Sequence, residues 1–326
     1  MQALRVASLS QDLSGCELVE LPTPERPHGE VLVRIRAASL NFPDLLMTRG
    51  EYQFKPSLPF IAGMELSGEV VEADAGSEFA AGDIVMGGAK IGAMAEFAAI
   101  PARNLRKAPE GLDFAQSAAL GAAYNTAYTA MVELGQMKPG QWVLVQGASG
   151  GVALAAVDLA KAMGARVIAA TGSPDKLERI AKLYAPDAVI HSTGRFRQQV
   201  ADITGGALCD LVCDPVGGDI FDESTRCVAF GGRLLVVGFA GGRIADISTN
   251  IPLIKGFSVV GVRAGEYSRR FPERGAAIAA KVSRMASEGL IKPAIDRVLP
   301  LSQWRTAFEA MDRRQLIGKV ILTPGN

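Results

Sequence analysis

The segment Gln141 to Lys176, QWVLVQGASGGVALAAVDLAKAMGARVIAATGSPDK, decides the fold of this chain. It opens with a short apolar run, 142–146, of the kind that forms a buried parallel strand. After a glycine turn, small and apolar residues recur at three- and four-residue spacing, which predicts a helix ending at Gly164. A second strand is predicted over 166–170. Strand, glycine turn, helix and strand in this order form one half of a dinucleotide-binding fold.

The glycine turn departs from the pattern G-x-G-x-x-G at its first position. Aligned on Gly150, residues 148–153 read ASGGVA, with alanine in place of the first glycine and a tolerated alanine in the last position. Glycine lets a diphosphate approach main-chain N–H groups, and the N-terminus of the following helix favours the anion. Such turns also simply connect strands to helices. With both strands and the helix correctly spaced, we predict cofactor contacts at Ser149, Gly150, Gly151 and Val152.

The end of the second strand indicates which dinucleotide is bound. An NAD enzyme places a carboxylate there for the ribose 2′-hydroxyl, whereas this chain has TGSPDK at 171–176. Hydroxyl groups and a lysine suit the extra charge of a 2′-phosphate, and Asp175 is expected to be turned away. Alternatively, Ser173 caps the next helix with Pro174 at its first position, and both roles are compatible. We predict NADPH, contacted by Thr171, Gly172, Ser173 and Lys176.

Strands and helices continue to alternate downstream. Further strands are predicted over 187–190, 210–213, 233–237 and 258–262, and helices over 196–204 and 220–230. With the two strands above, they make a six-stranded, doubly wound parallel sheet of the α/β class. Ligands of such sheets lie at the carboxyl ends of the strands. The residues expected to line the cofactor site there are Ser192, Val216, Phe239, Val262 and Arg263.

The N-terminal part of the chain follows another pattern. Short strand candidates at 31–36, 69–72, 83–86 and 95–100 are separated by glycines, prolines and charged residues, which predicts a small irregular β-barrel. A helix over 117–134 leads into the parallel sheet. The C-terminal tail contains strand candidates at 295–299 and 319–322 and a helix at 301–313, and it is expected to complete the barrel. We therefore predict two domains, 1–118 with 263–326, and 119–262.

Composition argues against several classes of protein. Lysine plus arginine equals aspartate plus glutamate at 34 each, which gives no support for a nucleic-acid or membrane-surface partner. The N-terminus lacks a secretory pattern and the apolar runs are too short to span a membrane, so we expect a cytoplasmic protein. The chain has only two histidines, His28 and His191, so we expect neither a hydrolase triad nor a histidine-rich metal site. Four cysteines lack metal-like spacing and are expected to be core thiols: Cys16, Cys209, Cys213 and Cys227.

Several segments, taken in order, carry a resemblance to a known family: Asn41-Phe-Pro-Asp44, Arg49-Gly-Glu-Tyr52, Leu58-Pro-Phe-Ile-Ala-Gly-Met-Glu65, Asn125-Thr-Ala-Tyr128, the 148–153 turn, Asp214-Pro-Val-Gly-Gly218 and Ile317-Gly-Lys-Val-Ile-Leu-Thr-Pro324. Over essentially its whole length the chain resembles the zinc-free medium-chain dehydrogenases/reductases of the quinone oxidoreductase and enoyl reductase branch. The resemblance implies a GroES-like β-barrel catalytic domain and a Rossmann domain. Zinc enzymes of the superfamily carry cysteine at the position of Asn41 and histidine at that of Met64, so no metal site is expected.

The resemblance also implies roles for three side chains. It places Asn41 against the nicotinamide or the substrate carbonyl, where its amide would donate a hydrogen bond, although the residue could instead cap a local turn. Tyr52 matches a proton-donating tyrosine of related enoyl-thioester reductases, and phenols are protonated at neutral pH. The alternatives for Tyr52 are an aromatic lid and a proton drawn from water. Thr126 resembles a nicotinamide-site hydroxyl, with helix packing as its alternative.

Three functions stay open on this basis. The chain could deliver hydride from NADPH to quinones, reduce an enone, enal or acyl-CoA thioester, or bind NADPH without turnover in a structural or regulatory role. A CoA substrate needs basic residues near the site. The arginines at positions 263, 269, 270 and 274 could serve, although a charge run of this kind is usually a solvated face. The apolar edge strand 258–262 predicts pairing into a homodimer, as members of the family it resembles dimerise edge to edge.

Overall fold

The computed structural model describes residues 1–325. In this range the sixteen strands are β1 (Gln2–Val6), β2 (Cys16–Glu20), β3 (Glu30–Leu40), β4 (Phe60–Ile61), β5 (Glu65–Glu72), β6 (Ile84–Gly87), β7 (Phe97–Pro101), β8 (Leu105–Lys107), β9 (Trp142–Val145), β10 (Arg166–Thr171), β11 (Ala188–His191), β12 (Cys209–Asp214), β13 (Val228–Val236), β14 (Ser258–Gly261), β15 (Ile295–Pro300) and β16 (Lys319–Thr323). The ten α-helices of the same residues are α1 (Phe42–Arg49), α2 (Phe114–Tyr128), α3 (Gly151–Ala162), α4 (Leu177–Tyr184), α5 (Arg197–Ile203), α6 (Gly218–Ser224), α7 (Asn250–Lys255), α8 (Ala264–Arg270), α9 (Pro272–Ser287) and α10 (Trp304–Asp312).

The chain forms two compact units. The first unit consists of Met1–Gly121 together with the C-terminal residues from Ile295 onward, and the second unit is the continuous segment Ala122–Ala294. Each unit has a hydrophobic core of its own. The N-terminal and C-terminal parts of the chain therefore build one unit jointly.

The second unit contains the doubly wound sheet that the sequence predicts. Its six strands lie in the order β11-β10-β9-β12-β13-β14, and every neighbouring pair is parallel. The order reverses between β9 and β12, which is the place where such sheets bind ligands beyond the carboxyl ends of the strands. The side chains of Val143, Leu144 and Val145 in β9 are fully buried, as a parallel strand covered on both faces requires.

Strand β13 begins earlier than the sequence predicts. The predicted helix 220–230 ends at Ser224, and Val228 already pairs with Cys209 of β12. The register then shifts, so that the next pair is Leu211 with Arg233, and Gly231 in the intervening stretch has a φ of +79°. An irregularity of this kind interrupts the alternation of the strand, which is why its first residues resemble a helix in sequence.

The first unit contains two mainly antiparallel sheets around its core. The larger follows the path β15-β16-β3-β5-β6-β8 with β7 paired to β3, and the smaller has the order β2-β1-β4. Its core includes Leu4, Val33, Leu66 and Phe308, which are fully buried. Strand β16 pairs antiparallel with β3. The GroES-like fold, completed by the C-terminal tail, is thereby confirmed.

The boundary between the units differs from the predicted one on the C-terminal side. Residues 263–294, which the sequence assigns to the barrel domain, belong to the second unit. Tyr267 Oη in α8 donates to Glu133 Oε2 at 3.1 Å, and the Lys292 N–H donates to Asp158 Oδ2 of α3 at 2.8 Å. Tyr184 Oη also donates to the Lys292 carbonyl at 2.6 Å. These bonds hold α8 and the loop after α9 to the rest of the second unit, and the return to the barrel begins only at Ile295.

Candidate functional site

The glycine turn after β9 leaves open space at the start of α3. Gly150 precedes the helix in an extended conformation, with φ −81° and ψ 155°. The first helical bond runs from the Leu154 N–H to the Gly150 carbonyl at 2.8 Å, so the preceding N–H groups have no acceptor within the helix. A Cβ built on Gly150 would meet only the Gly147 carbonyl oxygen, at 3.5 Å. The turn therefore fits a diphosphate that binds main-chain N–H groups at a helix N-terminus.

The missing first glycine of the fingerprint has a structural explanation. The left-handed residue of the turn is Gly147, with φ +60°, one position before the aligned alanine. A Cβ on Gly147 would lie 2.8 Å from Cγ2 of Val216. Ala148 is fully buried and its N–H donates to the Ala170 carbonyl of β10 at 2.8 Å. Because Gly147 makes the tight turn, the next position can pack as alanine.

The end of β10 carries hydroxyl groups and lacks a carboxylate. Thr171 is buried, and its Oγ1 accepts from the Ser173 N–H at 3.3 Å. Gly172 is exposed. Ser173 precedes a short 3₁₀ turn, Pro174–Lys176, but its side chain makes no capping hydrogen bond, so the cap alternative has no support here. Lys176 is 6% exposed, and its contact with a phosphate stays a prediction.

The remaining predicted cofactor contacts follow the carboxyl ends of four strands of the parallel sheet, β11, β12, β13 and β14. Ser192 comes directly after β11 and is buried, Val216 follows β12, and Phe239 follows β13 and is 41% exposed. Val262 directly follows β14, and its N–H donates to the Val236 carbonyl at 2.8 Å. Arg263, the next residue, is exposed. The fold thus brings these positions to one edge of the parallel sheet, as predicted, while their contact with a cofactor stays a prediction.

Asp214 organises the turn after β12, and sequence reasoning gave it no role. Its fully buried Oδ1 accepts from the N–H groups of Val216 and Gly217 at 2.8 and 3.0 Å. Burial raises the pKa of this carboxyl above its ordinary value. The sequence signal was an aspartate at the end of an apolar strand followed by Pro-Val-Gly-Gly. The side chain fixes the loop that carries Val216.

In the first unit, Asn41 lies in a closed hydrogen-bond network. Its Oδ1 accepts from Lys319 Nζ at 2.5 Å, and its Nδ2 donates to the Ser39 carbonyl at 3.1 Å and to Glu65 Oε2 at 3.3 Å. Its backbone N–H donates to Asp44 Oδ2 at 2.8 Å, at the start of α1. A carboxamide has two N–H groups, and both are engaged here. The predicted contact of Asn41 with the nicotinamide or the substrate carbonyl stays a prediction, and Asn41 is at the same time the N-cap residue of α1, which is the local role given as its alternative.

The network around Asn41 is buried and charged. Lys319 Nζ lies 3.6 Å from Glu65 Oε2, and the two side chains are 7% and 6% exposed. Burial lowers the pKa of Lys319, against the opposing effect of the Glu65 and Asp44 carboxylates. Burial raises the pKa of Asp44 to about 7. Sequence reasoning missed Lys319; the available signal was one lysine in the otherwise apolar strand KVILT.

Tyr52 and Thr126 are accessible in their respective units. Tyr52 lies in the loop after α1, half-buried against the core of the first unit. Within residues 1–325 its hydroxyl makes no hydrogen bond, so it can serve a ligand. Thr126 lies on α2 in the second unit and is half-buried. The roles of both residues stay predictions.

Four further expectations concern metals, thiols, basic residues and membrane spans. Among residues 1–325, no three His, Cys, Asp or Glu side chains are grouped so that they could hold a metal ion. All four cysteines are buried, and burial raises the pKa of the Cys213 thiol to about 12. The arginine run considered for CoA is largely engaged: Arg269 and Arg270 both pair with Glu266, and Arg274 donates to Tyr267 Oη. No helix of the described chain is long and apolar enough to cross a membrane, and a cytoplasmic location stays a prediction.

A GroES-like unit and a parallel sheet with an open glycine turn define an oxidoreductase that binds an NAD(P)-type cofactor. The family model of the alcohol dehydrogenase GroES-like domain matches residues 27–110, and that of the zinc-binding dehydrogenases matches residues 151–280. The chain is 37% identical over 305 residues to quinone oxidoreductase-like protein 2 of Bos taurus, covering 93% of this chain and 87% of that protein. The chain therefore belongs to the zinc-free quinone oxidoreductase branch of the medium-chain dehydrogenases/reductases.

Solved structures agree with this assignment. A probable oxidoreductase from Mycobacterium abscessus superimposes with a TM-score of 0.92 at 36% identity, covering 99% of both chains. The quinone oxidoreductase of Thermus thermophilus, solved alone and in complex with NADPH, has a TM-score of 0.83 at 32% identity and covers 99% of this chain and 100% of its own. Both likenesses extend over the two units.

Proposed function

We propose that the protein is an NADPH-dependent oxidoreductase that transfers a hydride to a quinone or another electron-poor conjugated carbonyl compound without a metal. The observation that carries the proposal is the exposed Gly150 turn together with the hydroxyl-bearing end of β10, where a carboxylate specific for NAD is missing. The NADPH complex of the Thermus thermophilus relative supports the choice of cofactor. When bound, the nicotinamide supplies the hydride.

The donor set of the first unit supports chemistry without zinc. Asn41 and Met64 offer neither a thiolate nor an imidazole, which are the usual protein ligands of zinc. The oxygens of Asn41 and Glu65 are instead directed at the Lys319 ammonium. The Lys319 ammonium is thus the positive charge that lies beside these two oxygens. An electron-poor conjugated acceptor suits such a site because it takes hydride without prior polarisation by a Lewis acid.

Reduction of an activated alkene is the second candidate, and the unbonded hydroxyl of Tyr52 favours it. Hydride addition to the β-carbon of an enone places negative charge on the carbonyl oxygen, and the resulting enolate must then take a proton. A phenol in a loop next to the core can donate that proton. Quinone reduction needs no such group, because the hydroquinone oxygens can exchange protons with water.

We expect Tyr52→Phe to reduce turnover of enones about 100-fold, the lower end of the range for loss of a general acid, and to leave quinone reduction unchanged. The measurement is NADPH oxidation with each class of acceptor. Tyr52→Ala is the matched control, since it removes the ring as well as the hydroxyl. If Tyr52 is only a lid, Tyr52→Phe will behave like the wild type and Tyr52→Ala will be impaired with every acceptor.

We propose that two copies associate through β14 at the edge of the parallel sheet. Val259 in this strand is 37% exposed. Three much more exposed apolar side chains belong to β13 and α7 beside it: Phe230 at 88%, Leu253 at 81% and Ile254 at 75%. An apolar edge of this kind tends to pair with another strand. Continuation of the sheet into a second copy would cover it.

We expect Val259→Lys, which places a charge on this edge, to convert the dimer into a monomer at micromolar concentration. Sedimentation velocity gives the mass of the species in solution. Ile84→Lys is the matched control, because Ile84 is a 50% exposed strand residue of the first unit and its replacement should leave the dimer intact. A monomeric wild-type protein, or a dimeric Val259→Lys variant, would refute pairing at this edge.

A further inference from the structure

We infer that Lys319 is a positioning residue of the proposed active site, which acts by fixing the orientation of the Asn41 carboxamide. The inference rests on the proposed function. Lys319 starts β16, the C-terminal strand that pairs with β3, and Asn41 directly follows β3. Residues 278 positions apart thus meet through one 2.5 Å hydrogen bond.

The surroundings of Asn41 permit only one orientation of its amide. In the observed orientation the oxygen faces the Lys319 ammonium, while the two N–H groups face the Ser39 carbonyl and the Glu65 carboxylate. After a half-turn about the last side-chain bond, N–H donors would face an ammonium and the oxygen would face two acceptors. Each contact would then be repulsive. Lys319 and Glu65 therefore select the orientation together.

The charges around Lys319 explain why the ammonium stays in place. Asp44 on α1 and Glu65 on β5 attract it, and Arg106 on β8 is the second cation that acts on Glu65. Asp44 Oδ1 is buried and has no hydrogen-bond partner in the described chain. Removal of the lysine would leave buried carboxylates with less compensation and the Asn41 oxygen without its donor.

The position of Lys319 gives it an indirect role. Only 7% of its side chain is exposed, so the ammonium is enclosed by protein. Asn41 is less buried and directly precedes α1, whose C-terminal end leads into the loop of Tyr52. An amide held in one orientation anchors the start of this segment. Release of the amide should therefore misplace the loop and lower turnover more than it lowers cofactor binding.

The test compares Lys319→Met with Lys319→Arg in the full-length protein. We expect Lys319→Met to lower kcat about 100-fold, a loss typical of a displacement of about 1 Å in an active site, with the dissociation constant of NADPH unchanged within about twofold. Lys319→Arg should restore part of kcat, because a guanidinium can donate to the same oxygen. Stopped-flow turnover and fluorescence titration with NADPH give the two quantities. Lys107→Met is the matched control, since Lys107 pairs with Asp83 at 3.1 Å but is 63% exposed.

Two further variants distinguish a loss of positioning from a general loss of structure. Lys319→Met/Glu65→Gln removes both charges of the buried Lys319–Glu65 pair together, so neither is left without the other, and it should retain the low kcat in a folded protein. In an Asn41→Ala background, Lys319→Met should lower kcat no further, because the residue through which it acts is gone. Equal losses in both backgrounds, or an unchanged kcat in the folded double variant, would overturn the inference alone. A wild-type protein that binds no NADPH would overturn the proposed function as well.

Discussion

Gly150→Val is expected to weaken NADPH binding at least about 100-fold, which corresponds to about 2.7 kcal/mol, while leaving the fold intact. The backbone of Gly150 is extended and its surroundings are open, so a β-branched residue can be accommodated there without strain. The new side chain would occupy the space over the N-terminus of α3. A diphosphate could then no longer reach the main-chain N–H groups, each of which contributes a charge-assisted hydrogen bond.

Isothermal titration with NADPH measures this effect, and thermal unfolding checks the fold. Ala162→Val is the matched control, because it adds bulk at an exposed position of the other end of α3 and should leave NADPH binding unchanged. Gly150→Ala should fall between the wild type and Gly150→Val. If Gly150→Val binds NADPH like the wild type, the cofactor does not lie on this turn, and the proposed function loses its main support.

Gly172→Asp is expected to reverse the preference between the two nicotinamide cofactors. It places a carboxylate directly after β10, where it would repel a 2′-phosphate and could accept hydrogen bonds from a ribose 2′-hydroxyl. We expect NADPH affinity to fall about 100-fold and NADH affinity to rise about tenfold, or about 2.7 and 1.4 kcal/mol. Gly172 is exposed and its backbone is not left-handed, so the substitution adds no buried charge. Thr171 is a poorer position for the same test, because it is 2% exposed.

The control for this prediction is Gly172→Asn, which has the same shape without the charge and should retain the preference for NADPH. Dissociation constants for both cofactors, measured at two salt concentrations, separate charge from shape, since the repulsion weakens as salt is added. An unchanged preference in Gly172→Asp would show that the 2′-phosphate pocket is formed by residues outside the end of β10.

The sequence predicts the second unit well because its signals are local. Most strands of the parallel sheet are short apolar runs, and the turns that follow them are marked by glycine or proline, so the six strands and their parallel arrangement can be deduced from the alternation. The boundary at Ile295 could not be deduced in this way. It depends on hydrogen bonds such as that between the Lys292 N–H and Asp158, which join residues 134 positions apart.

The site in the first unit was predicted in part for the same reason. Asn41 and Tyr52 belong to recognisable segments, but the partners of Asn41 lie on other strands. Whether its amide is free or engaged depends on Lys319, which no local pattern places beside it. The residue type predicts an amide donor, and the structure adds protein acceptors for both of its N–H groups, while its contact with a ligand stays a prediction. Buried polar networks of this kind are determined by tertiary structure.

The discontinuity of the first unit determines the order in which the nascent protein can fold. Ribosomes release β3 early, whereas its partner β16 is made only after the whole second unit. The second unit is one uninterrupted stretch of chain and is fully synthesised before Ile295. During translation, the edge of β3 that pairs with β16 consequently stays unpaired and can pair wrongly, and the Asn41 network forms only once Lys319 has been made. Chaperone protection is therefore most needed for the portion made first.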